Sequence, residues 1–277
     1  MKKAIYAVLL TVFLGIFAFS SWKLFGILWE YRIGENFYED LTQFVSVPEP
    51  EDTKPENEKT SSQKEEAEAQ SGQTKPTEPA EPVWPKVDFD ALREINPDVV
   101  GWIYIPGTKI NYPVLHGDTN DTYLYHLMTG EYNSAGSIFL DAGVPSDFTA
   151  QNNPIYGHHM KNGSMFADVS DYWSQEFYDA HPFAMLVTPE GNFYVRIFSG
   201  YVTDAWDDAW TLAFGEDSFD AWLRKLERKS YFHTDVKPTT GDRIVTLSTC
   251  TYEYDDARFV VHGVLEAEII ENESAAE

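Results

Sequence analysis

A single cysteine, Cys250, stands in 277 residues, so no internal disulfide is available and an exported domain must rely on its core. Basic residues are also scarce, with 20 Lys and Arg against 45 Asp and Glu and a formal net charge of -25. That balance excludes nucleic acid as a partner, because phosphate contacts need cations in excess, and it works against docking on anionic lipid. Metal-ligand patterns are missing too. Helical zinc sites place histidines at i and i+4, and closed sites gather Cys with His. The seven histidines show neither pattern, so no metal and no cofactor is expected. From Pro48 to Pro82 large apolar residues are absent, and Glu, Lys, Thr, Ser, Gln and Pro prevail. Such a stretch buries too little to offset the entropy of ordering. No internal repeat is present.

What remains divides the chain. Lys2 and Lys3 precede an apolar run from Ala4 to Trp22, close to the roughly 20 residues that cross a bilayer as a helix. The positive-inside rule then keeps the amino end cytoplasmic. The competing reading is a cleaved signal peptide with Ala18-Phe-Ser20 as a poor cleavage site, but the run exceeds the usual apolar core of such a peptide. Apolar residues also continue past it at Leu24, Phe25, Ile27, Leu28 and Trp29. The expected division is a cytoplasmic tip and transmembrane anchor over 1–23 and a helical stalk or packing segment over 24–47. An acidic disordered linker over 48–82, a folded domain over 83–270 and a disordered tail over 271–277 follow. As a flexible tether, the linker would let the domain search about 30 Å.

Within the folded domain, Asp88 to Ile95 reads as a short helix capped by Asp88 and ended by Asn96-Pro97, with Phe89, Leu92 and Ile95 at helical spacing. Strand-like runs follow at 99–105, 109–115, 137–140, 154–156, 184–188, 192–203, 243–250 and 259–268. So many short strands predict a mainly β domain, a closed barrel or a sandwich. One helix interrupts them. Ser218 is its expected cap, and Phe219, Trp222, Leu223 and Leu226 fall at i, i+3, i+4 and i+7, a core-facing stripe.

Cys250 closes the run from Asp242, and Arg258 opens the next, which ends at Leu265. Joined by Thr251 to Ala257, the two predict an antiparallel hairpin with Cys250 facing Arg258. A thiol of ordinary pKa near 8.5 is mostly protonated at neutral pH, so a nucleophilic cysteine needs a nearby cation or base. Arg258 is one candidate. The alternative is that Cys250 is a small buried hydrophobe. A base is offered by Asn152-Asn-Pro-Ile-Tyr-Gly-His158-His159-Met160, where a short strand ends in two imidazoles, either able to act. His116, His126, His181 and His233 stand beside turn signals and suit surface or structural roles. His262 lies four residues along the strand from Arg258, roughly 13 Å away and out of reach of the same atom.

Thr246-Leu-Ser-Thr-Cys250 followed by Arg258, with Tyr156-Gly-His158 upstream, resembles the active site of the sortases, membrane-anchored cysteine transpeptidases of Gram-positive bacteria. Asn96-Pro-Asp-Val-Val-Gly-Trp-Ile103, Tyr112-Pro-Val-Leu115 and the run from Tyr156 to Phe166 resemble class B, as does the helical insertion before the cysteine strand. The resemblance covers residues 88 to 268. It implies a closed sortase-type β-barrel with peripheral helices, with Cys250 as nucleophile, His158 as catalytic histidine and Arg258 as stabiliser of the oxyanion or substrate. It also places Ser248, Asn120 and Leu124 in a substrate groove, where their other reading is strand hydrogen bonding, turn capping and core packing. Asp255 and Asp256 could pair with Arg258 and draw it off the site.

The implied activity is cleavage of a carboxyl-terminal sorting signal of secreted proteins at a Thr-X bond, through a thioacyl-enzyme, with transfer to a peptidoglycan precursor amine. The implied place is the cell membrane, crossed once, with the catalytic domain outside. A secreted cysteine endopeptidase and an L,D-transpeptidase would use similar groups. A non-catalytic wall-binding domain would carry a sorting signal of its own, which the tail from Ile269 to Glu277 lacks.

Overall fold

The computed structural model describes residues 2–47 and 83–268, so the expected linker and tail lie outside the described residues. Helix α1 runs unbroken from Lys2 to Leu41, about 60 Å at 1.5 Å per residue, and is long and apolar enough to cross a membrane. Strand β1 (Val45–Ser46) pairs antiparallel with β2 (Lys86–Val87). Helix α2 (Phe89–Ile95) follows, with Asp88 Oδ1 accepting from Ala91 N at 3.0 Å as the cap and Leu92 as its fully buried contact.

The barrel strands are β3 (Val99–Tyr104), β4 (Asn111–Leu115), β5 (Ile138–Leu140), β6 (Asn152–Tyr156), β7 (Phe183–Thr188), β8 (Gly191–Asp204), β9 (Ile244–Cys250) and β10 (Ala257–Ala267). They close in the order β10-β8-β7-β3-β4-β5-β6-β9, with β4–β5 and β6–β9 parallel and the rest antiparallel. All eight strand-like runs of the sequence are found, and the barrel, not the sandwich, is the outcome. Trp102, Ile103, Leu115, Ile155 and Leu247 are fully buried in the main core, each worth roughly 1.5–3 kcal/mol of burial.

Two helices decorate the barrel. Helix α3 (Gln175–Ala180) is capped by Ser174, whose Oγ accepts from Phe177 N at 3.1 Å; the sequence reading missed it because six residues carry too little periodicity. Helix α4 (Ser218–Lys229) buries Phe219, Trp222, Leu223 and Leu226 against Phe198, Tyr201, Val260 and Val264 on the outside of β8 and β10. Ser218 is not its cap. It is the first helical residue, its hydroxyl donating to Gly215 O at 2.8 Å, and Asp217 occupies the cap position at φ +64° without a side-chain bond.

The carboxyl-terminal part of α1 packs on the barrel, with Tyr38 and Leu41 buried and Val45 beside them in the core. Asp88 N also donates to Phe44 O at 2.9 Å. Both ends of 48–82 are therefore fastened side by side to one body. Of the two readings of 24–47, the packing segment is the one seen at its carboxyl-terminal end.

Under α4 lies a buried polar chain. Thr246 Oγ1 donates to Asn152 Oδ1 at 2.7 Å and sits 2.9 Å from His262 Nδ1. With the threonine proton so used, His262 donates through Nδ1, and its Nε2 has no partner among the described residues. Burial pushes the His262 pKa down to about 3, with Asp207 pulling the other way. Between pH 6.5 and about 3 the unfolded chain binds this proton and the folded one does not. Stability should therefore fall on acidification by up to about 1.4 kcal/mol per pH unit from this group alone. His262→Gln is expected to flatten the slope of urea-unfolding free energy against pH across that window; parallel slopes for variant and parent would contradict it.

Candidate active site

Strand β9 ends at Cys250, and the register with β10 sets Arg258 directly opposite, as the hairpin spacing predicts. On its other side β9 meets β6 in parallel, with Tyr156 beside Ser248, and Gly157 N donates to Ser248 O at 3.1 Å. Carried two residues on, that register brings His158 level with Cys250. Neighbouring strands lie about 4.8 Å apart, so three adjacent strands deliver imidazole, thiol and guanidinium to one rim. All three line a cleft of about 400 Å³, together with Asn120, Leu124 and Ser248. A larger cleft of about 640 Å³ opens between α1 and the barrel, lined in part by Tyr31, Glu35, Lys109 and Asn162, but it contains none of these groups.

Gly157 lets the chain leading to His158 pack against Ile138 and Phe166: a Cβ there would stand 2.4 Å from Ile138 Cδ1 and 2.7 Å from Phe166 Cγ, both side chains being fully buried. Cys250 is free and half-buried, reachable from the cleft and not sealed in the core as the alternative reading had it.

His158 Nε2 lies 2.6 Å from the Leu124 carbonyl oxygen. A carbonyl only accepts, so the proton sits on Nε2, and Nδ1 is the basic nitrogen of the neutral ring. The Tyr125 ring lies 5.3 Å away, tilted against the imidazole. Burial holds the His158 pKa below the usual histidine value; the Leu124 carbonyl pulls it up, and Arg258 pushes it further down. His159 points elsewhere. Its Nδ1 donates to the Cys250 carbonyl at 3.2 Å and lies 3.0 Å from Ser170 Oγ, while its own carbonyl accepts from Tyr252 OH at 3.1 Å. It thus grips the backbone of the thiol residue from outside the cleft.

Arg258 forms no ion pair among the described residues; its Nη1 donates to Ala257 O at 3.1 Å. Asp255 and Asp256 are exposed in the turn, Asp256 takes φ +62°, and neither pairs with Arg258 in this structure. Ser248 is buried at the floor. Asn120 spends its amide on structure: Nδ2 donates to Asp141 Oδ2 at 2.9 Å, and Oδ1 accepts from Ala142 N at 2.8 Å.

Several lining residues escaped the sequence reading. Behind the lining, Asp141 is buried and also accepts from Tyr156 OH at 2.7 Å and Gly143 N at 2.8 Å, tying three segments together. Asp121, Phe139, Ala205, Trp210 and Thr249 also line the cleft. Trp210 Nε1 and Thr249 Oγ1 are buried without a hydrogen-bond partner among the described residues. Only the alternation of Thr249 with Ser248 and Cys250 hinted at any of these; Phe139 comes from β5, and Ala205 and Trp210 arrive from the segment after β8.

The sortase domain family model matches residues 103–266. Sortase B of Listeria monocytogenes is 40% identical over 177 residues, 63% of this chain and 72% of that protein. Among solved structures, a Staphylococcus aureus sortase B–substrate complex superposes with a TM-score of 0.62 at 36% identity, covering 65% of this chain and 85% of that one. A sortase B complexed with triglycine gives the same score and identity, covering 65% and 86%.

Replacing Arg258 by Gln removes the charge that helps depress His158. The His158 titration midpoint, followed by imidazole NMR, should start below 6.5 and rise in Arg258→Gln; an unmoved or lowered midpoint would show that the guanidinium does not face the ring.

Proposed function

This chain belongs to the sortase family, class B, the cysteine transpeptidases that join proteins to the cell wall, and from that premise we propose that Cys250 is its nucleophile. The Cys250 thiolate attacks the carbonyl carbon of a Thr-X bond in a sorting signal lying in the 400 Å³ cleft. The carbonyl π bond opens, and negative charge moves onto oxygen. Arg258, whose charge no carboxylate offsets among the described residues, stabilises that oxyanion, electrostatic help of the kind worth about 3–4 kcal/mol per donor. Protonated on Nδ1, His158 gives that proton to the departing amine as the C–N bond breaks, leaving a thioester on Cys250.

The second half reverses the roles. An amine enters, His158 Nδ1 takes its proton, the new C–N bond forms and Cys250 leaves as thiolate. A peptidoglycan precursor amine is the acceptor, a reading supported by the relative complexed with triglycine, and the substrate complex of another relative supports a peptide donor. Leu124 and Ser248 form the wall and floor of the groove, and Asn120 holds the wall in place through Asp141. The apolar part of α1, preceded by Lys2 and Lys3, crosses the membrane once with the amino end inside, which leaves the barrel at the outer face.

The observation that carries this reading is the convergence of three neighbouring strands, each bringing one reactive group, at a single open cleft. Cys250→Ala should abolish both thioester formation and peptide release. Arg258→Ala should lower kcat/KM by about 10²–10³, and Arg258→Lys by less. With triglycine present, mass spectrometry should show the acyl group transferred to the amine at the expense of hydrolysis. Release that proceeds in Cys250→Ala, or a product that is only the free acid at every amine concentration, would overturn transpeptidation through this thiol.

A further inference from the structure

Glu30, Gly34 and Tyr38 are spaced by four residues and so share one face of α1. That face lies against residues 133–137. Glu30 Oε1 accepts from Ser134 N at 2.7 Å, and the Glu30 carbonyl accepts from Asn133 Nδ2 at 3.0 Å. Gly34 lets the helix come close, since a Cβ there would stand 3.1 Å from Asn133 Oδ1 and 3.4 Å from Ala135 Cβ. Tyr38, buried, donates its hydroxyl to the Gly136 carbonyl at 2.6 Å and lies 2.9 Å from Ser137 Oγ.

Segment 133–137 in turn backs onto 123–126. Asn133 N donates to Tyr125 O and Ser137 N to Tyr123 O, each at 3.0 Å, and Ser137 Oγ donates to His126 O at 2.9 Å. The tightest contact is at Gly136, which takes φ +56°; a Cβ on it would lie 2.4 Å from the Leu124 carbonyl oxygen. That oxygen is the one accepting from His158 Nε2. From the membrane-type helix to the imidazole the contacts are continuous: Glu30, Gly34 and Tyr38 to 133–137, Gly136 to Leu124 O, and Leu124 O to His158.

We propose that the Glu30, Gly34 and Tyr38 face of α1 is a positioning element for His158, which by gripping residues 133–137 fixes the Leu124 carbonyl and so the orientation and tautomer of the imidazole. The proposal rests on the acid and base role given to His158 above. It makes the docked anchor helix a part of the active site's framework. Arg258 is the charged group facing the ring, and it stays in place in every variant below.

The test uses the full chain in detergent micelles or nanodiscs, with kcat and KM measured on a sorting-signal peptide and His158 observed by nitrogen-15 NMR. Gly34→Leu wedges the helix away while leaving every hydrogen-bonding group in place. Glu30→Ala removes the acceptor for Ser134 N, and Glu30→Gln keeps one. Gly34→Leu and Glu30→Ala are expected to lower kcat by up to about 100-fold with KM little changed. In both, His158 should lose its Nε2–H signature and titrate lower, because the carbonyl that raised its pKa has moved. Glu30→Gln should keep the parent's rate and signature. A His158 signature unchanged in both Gly34→Leu and Glu30→Ala overturns the proposal whatever the rates do, and should Gly34→Leu fail to fold, the Glu30 pair still decides. A displaced signature with an unchanged kcat would uphold the positioning and overturn the role of His158 as acid and base.

Discussion

The parallel pairing of β6 with β9 is the constraint on which the site depends. In a barrel otherwise closed mostly by antiparallel neighbours, a strand's end lies beside its neighbour's beginning, and two loop-borne groups meet only across a hairpin. A parallel seam puts two carboxyl ends at the same rim, so the residues just after Tyr156 and Ser248 come level. The cost is a long connection, and the chain uses it to build α3, β7, β8 and α4. The hairpin between β9 and β10 then brings Arg258 to the other flank of Cys250. Thiol and guanidinium thus come from paired strands, and the imidazole from the residues just after β6, with their order set by the register of those strands.

Around that seam the structure divides work between paired and unpaired polar groups. Asp141 is fully engaged by Asn120, Tyr156 and the Gly143 amide and keeps the cleft wall rigid. Among the described residues Arg258 is left without a carboxylate, in a chain of net charge -25, although Asp255 and Asp256 precede it closely. The turn that holds both acids out in solvent keeps the guanidinium of the cleft lining available to a substrate oxygen. His158 and His159, adjacent in sequence, split in the same way, one ring in the cleft and the other clasping the Cys250 carbonyl.

Much of this was legible in the residues. The spacing of Cys250 and Arg258 predicted their pairing, Asp88 its cap, and the Phe219 to Leu226 stripe the buried face of α4. Short runs and turn residues predicted a mainly β domain but left barrel and sandwich open, and the family resemblance pointed to the barrel. Ser218 misled because a serine ahead of an apolar stripe normally caps it, whereas here Asp217 in the left-handed region starts the helix one residue earlier. Asp141, Trp210 and the docking face of α1 could not be read, since each depends on which distant segment lies opposite. Composition reports on ordering entropy and says nothing about where Val47 and Val83, which flank 48–82, are held.

Those two ends meet at the short ladder of Val45–Ser46 with Lys86–Val87, beside the buried Tyr38 and Leu41. Helix α1 and the barrel are thereby connected twice, once by covalent chain and once by a packed interface. After a cut in the intervening residues, only that interface would hold helix α1 and the barrel together.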